Sequence, residues 1–453
     1  MTDSEKNPAL HAACEQGDMD AAARLLREGA EPAYKDATGR TALMIATQKN
    51  NVALAKLLID AGSDVNARDI TMLSPYLCAG ANGFYEIMRL CLAARADVTS
   101  VNRFGGTVLL PSSEKGYLKT VREALKAGVP VNHANHLGWS ALLEAVILGD
   151  GGLLYSDICA ELIKAGADIH MKDHDGKSSL EHAQNMKQER VLRIMRGGPL
   201  LDCACAVPVT AARERIWNEE YEQAMPELEK ALAIHKQSAA ALYYKGYCLQ
   251  EQKKYAEALA CYNEVLTAAP DNIEFRFYTA GCLRLMRRTD EALAEYKKAV
   301  DAKPEAQFHR YHMSNYLREL GRHEEAVAVM DILLSQQPRR YDYSFHKANS
   351  LRSLGKHREA VEAIENAIRN DKTNPLYYLH KCQSLVLLKR HEDALAVIEQ
   401  AVSHAPDGAD YLNEKAAVLL ALKRRGEAEA LLDRVLATAP GNARASALKA
   451  SLA

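Results

Sequence analysis

The chain has 453 residues, of which 48% are apolar, 26% charged and 6% aromatic. That length exceeds one compact core, and the composition is that of an ordinary soluble protein. A formal charge of -2 excludes the global basic bias on which nucleic-acid binding draws.

The polar start, Met1 to Pro8, lacks the apolar core of a signal peptide. No stretch approaches the ~18 uninterrupted apolar residues that a membrane span needs. The ten cysteines are scattered, with only Cys203 and Cys205 close together. They read as reduced thiols of a cytoplasmic protein rather than a disulfide framework. Few aromatic residues and much Ala and Leu favour stacked helices over sheets, so an all-α fold is expected.

Internal periodicity organises the first part. Thr41-Ala42-Leu43, Ser74-Pro75-Tyr76, Thr107-Val108-Leu109 and Ser140-Ala141-Leu142 are spaced by 33. A step of 38 then reaches Ser178-Ser179-Leu180, and one step back from Thr41 reaches Pro8-Ala9-Leu10. Gly39, Gly105, Gly138 and Gly176 precede this motif where a turn needs positive φ. Two short helices follow in each unit, near 41–49 and 52–61 in the second. Leu10-His11-Ala12-Ala13 and Thr41-Ala42-Leu43 resemble the Thr-Pro-Leu-His-x-Ala box of the ankyrin repeat, and six units span 7 to about 198. Asn102-Arg103-Phe104-Gly105-Gly106 and the segment 137–152 look like a bacterial branch of that family. The fifth unit's five extra residues fall near Gly151-Gly152-Leu153-Leu154-Tyr155. Insertions in repeats emerge as loops, often on the binding face; the reading favoured here is a loop tip whose Leu and Tyr fold back on a neighbouring helix.

Gly197-Gly198-Pro199 ends the array. The linker 199–208 is apolar, unlike a flexible one, and is expected to pack. From Ala239 the period is 34. Pro270, Pro304, Pro338, Pro406 and Pro440 close helices, with Lys372 in the missing slot and Pro375 just after. Ala258, Ala292, Ala326, Ala360, Ala394 and Ala428 recur, each followed at i+4 and i+7 by further core residues on the same helical face. Gly246, Leu249, Tyr255, Ala258, Tyr262 and Pro270 are similar to the signature of the tetratricopeptide repeat. Six units lie in phase over 239–442, after a degenerate unit with helices near 209–217 and 221–235 and before a capping helix at 443–453. Two tandem all-α solenoids are thus expected: an ankyrin domain at 1–198, and a tetratricopeptide domain at 209–453.

Catalytic signatures are absent. Gly176-Lys177-Ser178 mimics a phosphate loop, but Met171 stands where its first glycine belongs. The Cys203/Cys205 pair lacks the second ligand pair of a zinc site. No enzyme activity, cofactor or metal is expected, and no nucleic acid, membrane or small-molecule substrate.

By resemblance, the first helix of each tetratricopeptide unit lines a concave face. Tyr243, Phe277, Tyr311 and Phe345 share one register, then His312, His346 and His380, then Arg284, Arg318 and Arg352, with Asn315, Asn349 and Gln383 nearby. Arg offers planar donors for carboxylates and Asn can bond a main chain, which suggests a groove for an extended or acidic peptide segment over 277–383. The other reading has the aromatics packing between helices and the arginines forming a solvated face; the first half of it is favoured for the aromatics, while for the Arg/Asn set both readings stand. The ankyrin family binds through turn tips, which points to Arg103, Phe104, His136, Trp139 and His174, along with Leu153, Leu154 and Tyr155 of the insertion. The function these features imply is a protein–protein interaction scaffold or adaptor. An inhibitor or immunity-type protein, and a regulatory subunit or assembly chaperone of one enzyme, are the alternatives.

Overall fold

The computed structural model describes residues 3–36, 38–69, 71–305, 307–438 and 442–452. Pro440, the first two residues and Ala453 lie outside the described residues. Within them the regular structure is helical, with a single isolated bridge between Lys172 and Ser178.

Six helix pairs come first: α1 (Asp3–Gln16) with α2 (Met19–Arg27), α3 (Ala42–Gln48) with α4 (Val52–Asp60), and α5 (Pro75–Ala81) with α6 (Tyr85–Ala93). Then follow α7 (Leu109–Glu114) with α8 (Leu118–Lys126), α9 (Ala141–Ile147) with α10 (Leu153–Lys164), and α11 (Ser179–Asn185) with α12 (Glu189–Met195). In the units opened by Thr41, Ser74 and Ser178, the hydroxyl of the repeat box explains where the first helix begins. Thr41 Oγ1 accepts from the Met44 N–H at 3.2 Å and Ser74 Oγ from the Leu77 N–H at 3.2 Å, and Ser178 forms a capping box with Glu181. Each satisfies an amide that the helix itself leaves unpaired. Between units the chain forms a finger whose leading Asp or Asn accepts the amides two and four residues on, as Asp69 does from Thr71 and Leu73 and Asn102 from Phe104 and Gly106.

Seven longer pairs follow: α13 (Ala206–Trp217) and α14 (Tyr221–Ile234), α15 (Ala239–Glu251) and α16 (Tyr255–Ala268), α17 (Ile273–Leu285) and α18 (Thr289–Ala302), and α19 (Gln307–Glu319) and α20 (His323–Gln336). After them stand α21 (Tyr341–Ser353) and α22 (His357–Asn370), α23 (Pro375–Leu387) and α24 (His391–His404), α25 (Ala409–Ala421) and α26 (Arg425–Thr438), and a last helix α27 (Ala443–Ala450). The alanine ladder Ala258 to Ala428 is fully buried, since only a methyl group lets the paired helices approach this closely. Gly246 is needed for the same reason: a Cβ there would stand 2.3 Å from the Tyr262 ring.

Backbone proximity divides the chain into two compact units, Met1–Ala141 with Met330–Ala453, and Leu142–Val329. Each contains a portion of both arrays, so compactness follows a different division from the repeat families. In the Leu142–Val329 unit, Leu201, Cys205 and Val209 are buried in one apolar cluster with Leu242, Tyr243, Tyr262 and Phe275, and Leu153 belongs to that same cluster. The segment after Pro199 is therefore packed. Leu153, Leu154 and Tyr155, expected in a loop tip, instead form the first turn of α10. The physical reason is that Gly151 supplies the positive φ of the turn and Asp150 Oδ1 accepts the Gly152 N–H at 2.8 Å, so the helix starts immediately behind the two glycines.

Candidate protein-interaction surface

The insertion and the tetratricopeptide register meet inside the Leu142–Val329 unit. The Leu153 N–H donates to Glu274 Oε1 at 2.5 Å and the Leu154 N–H to the Tyr278 hydroxyl oxygen at 3.1 Å, while the Tyr278 O–H donates to the same Glu274 oxygen at 2.9 Å. Two amides at the start of α10, which no helical carbonyl can reach, are satisfied by α17. The Tyr155 ring packs edge-on against Phe308 at 5.3 Å, and its oxygen stands 3.3 Å from His312 Nε2. Phe277, at the next register up, packs on Phe308 and His312.

One turn further along α10, Asp157 has no solvent exposure. Arg213 Nε donates to its Oδ1 at 2.5 Å and the Tyr244 O–H to its Oδ2 at 2.8 Å. Burial pushes the Asp157 carboxyl up, against the pull of Arg213 and the Tyr244 hydrogen bond, and the guanidinium is held charged by the carboxylates of Asp157 and Glu161. A buried pair of this kind is tolerated because both oxygens are bonded.

A second meeting occurs in the unit of 1–141 and 330–453. Phe104, at the tip of a finger, lies 6.4 Å from the Tyr341 ring, 6.0 Å from Phe345 and 6.4 Å from His346. The Arg103 guanidinium stands 4.8 Å over Phe104 and 5.2 Å over Phe345. Asn374 Nδ2 donates to the Arg103 carbonyl at 2.6 Å, and its Oδ1 accepts the Leu376 N–H as the N-cap of α23. On the next finger, His136 Nδ1 stands 3.8 Å from Asp371 Oδ2 and Trp139 lies under the Arg340 guanidinium at 4.9 Å. His174, on the last finger, is exposed.

The residues expected to meet outside partners thus divide. Leu153, Leu154, Tyr155, Phe277 and His312 contact one another's elements in one unit; Arg103, Phe104, Phe345 and His346 do so in the other. Tyr311 is buried. The arginines are half-buried and engaged: Arg284 pairs with Glu319 at 2.8 Å and lies 4.5 Å over Tyr316, Arg318 donates to Asn315 at 3.1 Å, and Arg352 to Gln383 Oε1 at 2.5 Å. His380 Nδ1 and Asn349 Oδ1 are 2.9 Å apart; burial, and after it the charges of Arg352 and Arg103, hold His380 well below its ordinary pKa and therefore neutral. Asp157, Arg213, Glu274, Phe308, Asn374 and Arg340 were missed by sequence reasoning. Asn374 alone carried a local signal, as an Asn before Pro375 marks an N-cap, although nothing local announces its second bond.

The helix pairs, the capped boxes and the finger tips define a helical-repeat protein. Family models of ankyrin repeats match residues 1–69 and 76–173, and the tetratricopeptide repeat model matches 218–277, 249–313 and 385–452. The model of anaphase-promoting complex (cyclosome) subunit 3 matches 319–401. Among solved structures, an ankyrin repeat domain from Acinetobacter baumannii AYE is 45% identical, over 42% of this chain and 98% of that one, with a TM-score of 0.41. The ankyrin repeat protein EF0377 is 34% identical over 43% of this chain and 98% of its own, with a TM-score of 0.41. A chain of the structure of a Bdellovibrio bacteriovorus predatory endopeptidase in complex with immunity protein Bd3460 matches at 25% identity, over 42% of this chain and 98% of that one, with a TM-score of 0.37. No curated protein matches the chain. The chain belongs to the ankyrin-repeat family and continues as a tetratricopeptide array. Both repeat types are protein-interaction modules. Among the described residues, no helix is long and apolar enough to cross a membrane.

Proposed function

We propose that the chain is a non-catalytic scaffold or adaptor of the cytoplasm, with an ankyrin module at 1–198 and a tetratricopeptide module at 209–453 that engage partner proteins. The observation that carries this reading is the grip on the Arg103-Phe104 tip: aromatic rings enclose a side chain while the Asn374 amide bonds a main-chain carbonyl. A face that holds a polypeptide by one ring and its backbone is equipped to recognise other polypeptides. The half-buried Arg284, Arg318 and Arg352 add a second means of recognition, because each can exchange its present acceptor for a partner's carboxylate. No cofactor, metal, nucleic acid or small-molecule substrate enters the proposal.

Affinity purification from the native cell with mass spectrometry tests it, comparing wild type with the triple variant Arg284→Ala, Arg318→Ala, Arg352→Ala. A co-purifying protein lost from a variant that keeps its thermal stability supports recognition by the arginine register. A protein that the variant retains moves recognition to the ankyrin tips, and the absence of any partner from the wild type counts against a scaffold.

A further inference from the structure

The finger 102–106 is a built turn. The Asn102 N–H donates to the Gly106 carbonyl at 2.8 Å, and Asn102 Oδ1 accepts the Phe104 and Gly106 amides at 2.8 and 3.1 Å. Gly105 has a φ of 76°, and a Cβ on it would stand 2.6 Å from the His136 ring. The next finger braces the turn, the His136 N–H donating to the Phe104 carbonyl at 3.0 Å, so Arg103 and Phe104 are presented at its tip without help from the tetratricopeptide face. What they touch is equally complete. Tyr341, Phe345 and His346 flank the ring, and Asn374, itself 1% exposed, bonds the carbonyl. The Arg103 guanidinium lies 4.8 Å over Phe104 and 5.2 Å over Phe345, so the basic and the aromatic side chain of the tip are received together.

None of these contacts requires that the turn belong to the same chain as its receptor. We propose that the tetratricopeptide face of residues 341–374 is a receptor for a tight turn bearing adjacent basic and aromatic residues, and that the finger 102–106 is its internal ligand. This rests on the scaffold reading and deepens it by naming the partner's chemistry: a protein displaying a basic–aromatic turn competes with the finger. It departs from the acidic segment expected of the arginine register, since what this face holds is a basic side chain stacked on an aromatic one. A tethered ligand acts at an effective concentration near the millimolar range, so the face is closed to weak external turns until the finger leaves.

The probe is a fluorescein-labelled cyclic peptide containing Asn-Arg-Phe-Gly-Gly, titrated by anisotropy into the full-length chain. Phe104→Ala takes the tip ring off the face and weakens the finger's hold on it, and is expected to bind the peptide about tenfold or more tighter than wild type. A control peptide with Ala in place of its Arg and Phe should not bind. Adding Asn374→Ser to Phe104→Ala keeps an N-cap hydroxyl but removes the longer amide, and should weaken binding again. Should Phe104→Ala not fold by circular dichroism, Arg103→Glu opens the same face by removing the guanidinium that lies over Phe345. Equal, undetectable binding to wild type and to a folded opened variant overturns the proposal. That result would leave any partner found by co-purification in place, so the two readings fail separately.

Discussion

Asp150 stands where the insertion docks, and its chemistry makes that docking sensitive to pH. Burial first, and then the neighbouring Glu274 carboxylate, raise its pKa to about 7, against the Gly152 amide and Arg190, which favour the charged form. The sign follows from linkage. The folded pKa lies above the ordinary carboxylate value that applies in the unfolded chain. The stability associated with this group is thus fully present below that ordinary value and is lost as pH rises through about 7. Thermal midpoints of the full chain should fall as pH rises from the ordinary carboxylate value to about 7, and Asp150→Asn, which keeps an acceptor for Gly152, should flatten the decline. If the variant declines as steeply as wild type, Asp150 does not titrate as its surroundings require. Little of this could be read beforehand. Asp150 sits beside a visible Gly-Gly turn, but Glu274, its electrostatic partner, is remote in sequence and carries no local mark.

At the scale of the helix pair, the turn inside each tetratricopeptide unit tests how far periodicity reaches. Lys253, Arg287, Lys389 and Lys423 have φ between 58° and 62°, and Gly321 and Gly355 occupy the same register at 71°. A side chain in this left-handed region costs about 1–2 kcal/mol, partly offset by the greater entropy glycine loses on folding. Arg287→Gly should accordingly stabilise by about 0.5 kcal/mol, and Gly321→Ala should destabilise by about 1 kcal/mol. Both are read as shifts in thermal midpoint, and shifts of the opposite sign would mean that contacts of the Arg287 side chain outweigh its backbone. A repeat of 34 superimposes six turns, and two glycines in that register speak for the other four, although only the ankyrin glycines were read for positive φ from the sequence. The helices and the buried Ala258 to Ala428 ladder were legible because the same period repeats them. The first turn of α10 was not, because the insertion that creates it occurs once and breaks the very period on which the reading relied.

For the molecule as a whole, each compact unit joins an ankyrin portion to a tetratricopeptide portion by contacts between residues far apart in sequence. Leu153 with Glu274 and Asp157 with Arg213 do so in one unit, and Arg103 with Asn374 in the other. Such pairs follow no period and depend on which tip reaches which helix, so neither repeat pattern foretells them; the sequence displayed the tips and the receiving register as two separate candidate surfaces. If these contacts hold the arrays together, the covalent linker is dispensable once the protein has folded. A protease site inserted between Gly198 and Pro199, cleaved after purification, should leave the two fragments co-eluting at micromolar concentration in size-exclusion chromatography. Asp157→Ala should oppose this strongly. It leaves Arg213, with 14% of its side chain exposed, without its closest carboxylate, and breaking a buried pair costs about 3–5 kcal/mol, or on the order of a hundred- to several thousandfold in fragment affinity. Combined with Phe104→Ala, which removes the tip ring from the other contact, it should let the fragments elute apart. Fragments that separate from the cleaved wild type would instead mean that the linker, rather than the docked tips, keeps the arrays in register.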